Sequence, residues 1–340
     1  MASKGVRIWL LTGVVLISCM VFIGGVTRLT DSGLSMTDWN IILGAIPPTS
    51  DAAWQERFEQ YQNFPEFKLV NHDMTLHEFK SIFFWEYFHR LWGRMLGIVF
   101  IIPFIYFLIK KQLKGVLLKR SVIILFGGAA VGGIGWFMVL SGLQDRPDVS
   151  HYRLALHLFA ALSLICFVYY TYLDSRPKRL SFSARSGYSL RTARVLFVVF
   201  FMQVIWGAFT AGLDAGAIYN TYPLMNGSLI PENAFPFDSW IKNITDHKDG
   251  VQLIHRYLGT ILFLITMVMG VQAYRKNGFW NQFTPVALFV FVQFILGVIT
   301  ILISAGGVPV WIGSIHQLGA IFVLLSLVYF IQCKRKDNAF

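Results

Sequence analysis

Four histidines are the residues best placed to do chemistry. His89, His157, His255 and His316 each stand near the start of a long apolar run, and Arg90 and Arg256 directly follow the first member of each pair. Imidazole is both a metal ligand and a proton carrier near neutral pH. A zinc site wants four ligands, and neither pair has a cysteine or aspartate beside it. Two histidines on facing helices of a four-helix unit are the arrangement that ligates a heme iron from both sides. Read singly, each histidine is also explained by a hydrogen bond to a neighbouring helix.

Glu86 precedes His89 by three residues and so shares its helix face. A shift of 166 residues, which lays His89-Arg90-x-x-Gly93 onto His255-Arg256-x-x-Gly259, puts Gln252 at the equivalent place. An acid beside one pair and an amide beside the other point to chemistry in the N-terminal half alone. A buried carboxylate there accepts a proton or stabilises positive charge developing on a substrate. An ion pair with Arg90 or Lys80 is the competing explanation. Gly93, Gly97, Gly259 and Gly319 follow the histidines and would let a flat macrocycle approach the helix backbone; ordinary helix packing explains them as well. Arg90 and Arg256 suit heme propionates pointing outward, against snorkelling to lipid headgroups.

The elements that must position these groups are membrane helices. The 340 residues are 55% hydrophobic and only 14% charged, where a soluble domain carries about 25% charged residues. Eight apolar runs of bilayer-spanning length follow one another: Ile8–Val26, Ile82–Leu108, Val122–Leu143, Tyr152–Leu173, Val195–Leu213, Gln252–Gln272, Pro285–Ser304 and Trp311–Gln332. None alternates as a barrel strand would. An all-α integral membrane protein is expected.

The net charge of +11 is then a matter of sides. Eighteen of the 29 Lys and Arg fall in alternate connections and the two ends, with only Asp174 and Asp337 as acids among them. The positive-inside rule places both termini in the cytoplasm, with anionic lipids contributing. Nucleic-acid binding has no separate support. The first run is too long for a cleaved signal peptide and no Arg/Ser-rich leader precedes it, so a bacterial inner membrane is expected. Cys19, Cys166 and Cys333 offer no disulfide framework.

The chain also repeats. A shift of 183 lays Gly24, Thr27, Asp31 and Gly33 onto Gly207, Thr210, Asp214 and Gly216; Gly135 in span 3 matches Gly297 in span 7, and His157 matches His316. Two parallel four-span halves follow, roughly 1–175 and 190–340, related by an axis along the membrane normal. Even-numbered spans all enter from outside, so the four histidines share one depth in the outer half of the bilayer. His72, His77, His151 and His247 fall in outer loops and read as solvated or structural. The glycines of 127–135 read as a packing face of span 3. Trp39, Pro47-Pro48, Trp54 and Tyr61 suggest ordered lids in a long first outer loop.

The run Gly24-Gly25-Val26-Thr27-Arg28-Leu29-Thr30-Asp31-Ser32-Gly33-Leu34-Ser35-Met36, then Trp39, Pro47-Pro48, Glu78-Phe79-Lys80 and Glu86-x-x-His89-Arg90-x-x-Gly93-Arg94, resembles the heme A synthase family, its proteobacterial and mitochondrial branch in particular. Gly135–Leu143, Arg153-Leu154-Ala155-x-His157 and His255-Arg256-x-x-Gly259 extend the resemblance over nearly the whole chain. It implies oxidation of the C8 methyl of heme O to the formyl group of heme A. It implies a resident heme b on His255 and His316, substrate heme O on His89 and His157, and Glu86 as the acid near the methyl group. Electrons would leave through the resident heme to an unidentified acceptor; heme O synthase is an implied neighbour, and self-association is left open. Water as source of the formyl oxygen is a family-level proposal. The cysteine pair that some members carry in the first outer loop is missing here. Two other readings remain: a bis-His cytochrome b that only relays electrons, and a parallel-repeat transporter with the histidines as a proton relay.

Overall fold

A computed structural model describes residues 2–36, 46–143, 147–176 and 186–337. Trp39 lies outside them. Among the described residues the regular elements are helices, with two isolated bridges. Eight are long and apolar enough to cross a membrane: α1 (Lys4–Leu29), α4 (Leu76–Ile109), α5 (Gly115–Val139), α6 (His151–Ser175), α7 (Leu190–Gly212), α9 (Lys248–Asn277), α10 (Thr284–Leu302) and α11 (Val310–Asp337). The chain is a multi-pass membrane protein. Three short helices, α2 (Asp51–Gln62), α3 (Pro65–Leu69) and α8 (Trp240–Thr245), lie in the connections.

Several helix boundaries differ from the apolar runs, and two of them have identifiable reasons. α4 starts at Leu76, well before Ile82, because Thr75 and Glu78 form a reciprocal capping box there. α5 stops at Val139 rather than Leu143: Gly142 lies against the Leu34 side chain, where an added Cβ would sit 2.7 Å from it. That contact holds a turn where the hydropathy alone continues a helix.

Helices α1, α4, α5 and α6 pack in a ring, and so do α7, α9, α10 and α11. The two bundles meet through α1 and α6 on one side and α7 and α11 on the other. In each ring the histidine-bearing helices are diagonal: α4 faces α6, and α9 faces α11. At one end Arg120 pairs with Asp174 at 2.7 Å, Gln332 donates to the same carboxylate, and Arg335 stacks on Tyr170. Basic residues of several connections thus share one end of the molecule.

The opposite end is capped. Phe58, Tyr61, Phe79 and Phe83 form a buried aromatic cluster, with Trp54 packed against it, which fastens α2 and α3 onto the start of α4. The expected lid is therefore ordered at Trp54 and Tyr61. His151 reaches across the bundles to Asp246 at 3.4 Å, His247 stands just before α9 with its ring edge-on to Phe237, and His72 lies exposed beside Asp73.

Candidate functional site

Each histidine ring is seated on a glycine of the preceding membrane helix. A Cβ added to Gly135, Gly207 or Gly297 would stand 2.9, 2.9 and 3.0 Å from Cε1 of His157, His255 and His316. A Cβ on Gly24 would stand 3.2 Å from Nε2 of His89. Four glycines at one depth let four imidazoles lie where a neighbouring helix would otherwise push a side chain. The glycines chosen from sequence proximity do something else: Gly93 faces Met20, Gly259 is covered by the Gln203 amide and Gly319 by Gln293. The reason is rotational. A residue one turn along the histidine's own helix points at the adjacent helix, whereas the ring lies over the helix it touches.

His89 and His157 are close enough to interact electrostatically, as are His255 and His316. All four line one cavity of about 1480 Å³, together with Glu86, Arg90, Arg256, Gly93 and Gly259. Ordinary single-ligand pockets hold about 300–1,000 Å³, so this one has room for more than one ligand. Among the described residues no group of three or more His, Cys, Asp or Glu could hold a metal ion, which leaves each pair as a two-ligand donor set.

The pairs differ in support. Gln203 of α7 places its Nε2 3.1 Å from Nδ1 of His255 and 3.0 Å from that residue's carbonyl oxygen. Gln293 of α10 does the same for His316, at 3.2 and 2.9 Å. The repeat places Met20 and Val131 at these positions in the N-terminal bundle. There the backbone of Val131, rather than a side-chain amide, is the hydrogen-bond partner of His157. Sequence reasoning missed both glutamines, although their spacing from Gly207 and Gly297 could have shown them.

Glu86 is buried and its oxygens are fully engaged. Arg90 donates to Oε1 at 2.5 Å, and the Ser35 hydroxyl and Met36 amide each donate to Oε2 at 2.7 Å. Arg90 also donates to the Met36 carbonyl. The partner is thus Arg90, while Lys80 lies toward Asp51. In the second bundle the Gln252 amide points at the carbonyls of Gly216 and Tyr219 at 3.4 Å, and Arg256 donates to those of Thr221 and Leu224. The acid accepts from its loop and the amide donates to its own. Both arginines are turned inward onto these loops, so neither snorkels to lipid. Nη1 of Arg256 is buried without a hydrogen-bond partner among the described residues.

Glu66 on α3 also lines the cavity, which no spacing rule revealed. Its Oε2 accepts from the Tyr61 hydroxyl at 2.9 Å. Burial pushes this carboxyl up to about 8, with the charges of Glu86, Asp31 and Asp148 adding to the effect. At neutral pH Glu66 is a protonated acid in the cavity wall.

A family model described as cytochrome oxidase assembly protein, COX15-CtaA, matches residues 7–328. The chain belongs to the COX15-CtaA family. Among its relatives, the heme A synthase of Flavobacterium psychrophilum is 43% identical over 96% of this chain and 97% of its own length. The heme A synthase of Flavobacterium johnsoniae is 44% identical with the same two coverages. That of Nitrosospira multiformis is 41% identical over 96% and 92%. The shared length takes in every cavity-lining helix of this COX15-CtaA member.

The site suits a heme by its own chemistry. It offers paired imidazoles without further metal ligands, apolar walls, and in Arg256 a buried cationic group with spare donor capacity.

Proposed function

We propose that this protein is a heme A synthase, oxidising the C8 methyl of heme O to the formyl group of heme A. The observation that carries the reading is one cavity holding two facing histidine pairs, with a carboxylate beside only one. The halves 1–175 and 190–340 each form one site. His89 and His157 hold the substrate heme O; His255 and His316 hold a resident heme b. A bis-imidazole heme supplies one-electron redox chemistry to the second site.

Turning methyl into formyl with oxygen from water follows CH3 + H2O → CHO + 4H+ + 4e−. The chain's own residues must therefore hold positive charge near the methyl and receive protons. Glu86 is fixed by three donors, so its carboxylate is already oriented when charge develops and costs no reorganisation. Glu66, which accepts from the Tyr61 hydroxyl, lines the same cavity. Arg256, with a free donor, and Arg90 suit the propionates, while Gly93 and Gly259 form cavity wall. The glutamines at His255 and His316 support residence at the second pair, because each donates to its histidine's own carbonyl and packs its amide beside Nδ1, which restricts where the ring can move. Met20 and Val131 offer the first pair no side-chain amide, as suits a ligand that must leave.

The protein sits in a bacterial inner membrane with both termini cytoplasmic. Heme O synthase is its neighbour as supplier of substrate, and a separate acceptor takes the electrons. Extraction and chromatography of bound hemes from protein made with a heme O supply tests the assignment. Heme B together with heme O or heme A is expected. Heme B alone would make it an electron-relay cytochrome, and no Soret band at all would return the histidines to proton transfer.

A further inference from the structure

The α4–α5 seam of the N-terminal bundle is loosely packed, and the equivalent α9–α10 seam of the C-terminal bundle is tightly packed. Ile101 of α4 and Gly128, Ala129 and Gly132 of α5 line the cavity and are exposed. α4 and α5 touch each other least of the neighbours in either ring. A Cβ added at Gly97, Gly128 or Gly132 would meet nothing within 4 Å. The glycine-rich stretch is thus a packing face only at Gly127, against Leu164, and at Gly135, against His157. Its remaining glycines border a gap.

The repeat supplies the control. The shift that matches His89 to His255 puts Phe263 at the place of Gly97. The shift that matches Gly135 to Gly297 puts Phe294 at Gly132 and Phe291 at Ala129. Phe263 and Phe294 stack with ring centroids 4.0 Å apart and planes within 6°, and Phe291 closes on Phe263 at 6.2 Å. Tyr222 backs Phe294 edge-on at 5.9 Å. An aromatic plug fills the α9–α10 seam where the α4–α5 seam has hydrogen atoms. Because the bundles join through α1, α6, α7 and α11, the α4–α5 seam faces lipid.

We propose that the α4–α5 seam is a lateral opening through which heme O enters from the bilayer, and in which its farnesyl chain lies while the ring is held between His89 and His157. The inference rests on the reading that the N-terminal bundle takes the substrate. A farnesylated porphyrin is dissolved in hydrocarbon, and carrying its chain through water is costly. An apolar slot within the bilayer, continuous with the cavity, lets the ring slide in while the chain stays in contact with lipid. His157 lies in the wall of that cavity. The same logic keeps the resident heme in: its bundle has no such slot.

The test rebuilds the plug. In lipid vesicles containing heme O, the double variant G97F/G132F should bind at least tenfold less heme O per protein than the unsubstituted chain, while the spectrum of the resident heme is unchanged. Equal heme O loading in the double variant would overturn the opening. An unsubstituted chain that binds no heme O would instead sink the functional reading, so the two failures are distinct. If the double variant loses both hemes through misfolding, Gly128→Cys decides. Its thiol should react with a bilayer-soluble maleimide above the background of Cys19, Cys166 and Cys333, and prior loading with heme O should block it. No labelling, labelling indifferent to heme O, or disulfide-linked dimers through this cysteine would each overturn the proposal.

Discussion

Gly207 and His255 are in such close contact that a single added carbon on the glycine would stand 2.9 Å from Cε1 of the ring. Real carbon–carbon contacts start near 3.5 Å, so even alanine must displace the imidazole. Gly207→Ala should weaken binding of the resident heme roughly tenfold or more, by the measure that a misplaced ligand shell costs about 10–100-fold. Titrating heme into apoprotein checks it. Affinity equal to the parent would show that the ring does not need this seat.

His255→Ala or His316→Ala each removes a candidate axial ligand and should abolish the bis-imidazole spectrum. An unchanged spectrum would reverse the assignment of the pairs. Gln203→Leu keeps both ligands and should leave the spectrum low-spin, with affinity lower by about 10–100-fold. Gln203→Glu, which replaces the amide donor to the His255 carbonyl with an oxygen, should not recover that loss.

Glu86→Gln should reduce heme A formation by at least about 10²-fold, the lower end for losing a charged catalytic group, with the resident heme retained. The amide also loses one charge-assisted bond to Arg90, so the loop at Ser35 and Met36 will loosen. Heme O affinity separates the effects: near-normal binding with no product marks an electrostatic role, and normal heme A production removes Glu86 from the mechanism.

Glu66 makes a pH prediction. Its folded value of about 8 lies above its ordinary 4.5. Between those values the unfolded chain releases a proton that the folded chain keeps, so stability falls as pH rises from about 4.5 to about 8. Glu66→Gln should flatten this part of a Tm-against-pH profile in detergent and make the protein more stable than its parent at pH 8. Identical slopes would mean that the carboxyl reaches water.

Number and order of the spans were legible in the sequence, which also carries the charge asymmetry and the constant shifts of the repeat. The bilayer imposes a fixed apolar length and a charge asymmetry, and a duplicated chain writes its correspondences at constant shifts. The asymmetry of Glu86 and Gln252 was legible for the same reason. What the residues around each ring do was decided by tertiary structure. A membrane helix is apolar on all sides, so hydropathy does not say which face meets which neighbour. Hence Gly24, Gly135, Gly207 and Gly297, rather than Gly93 and Gly259, seat the imidazoles. Hence also Glu66 reaches the cavity from a short loop helix, the glutamines find their rings, and one helix seam stands open where its repeat is closed by a pair of stacked phenylalanines.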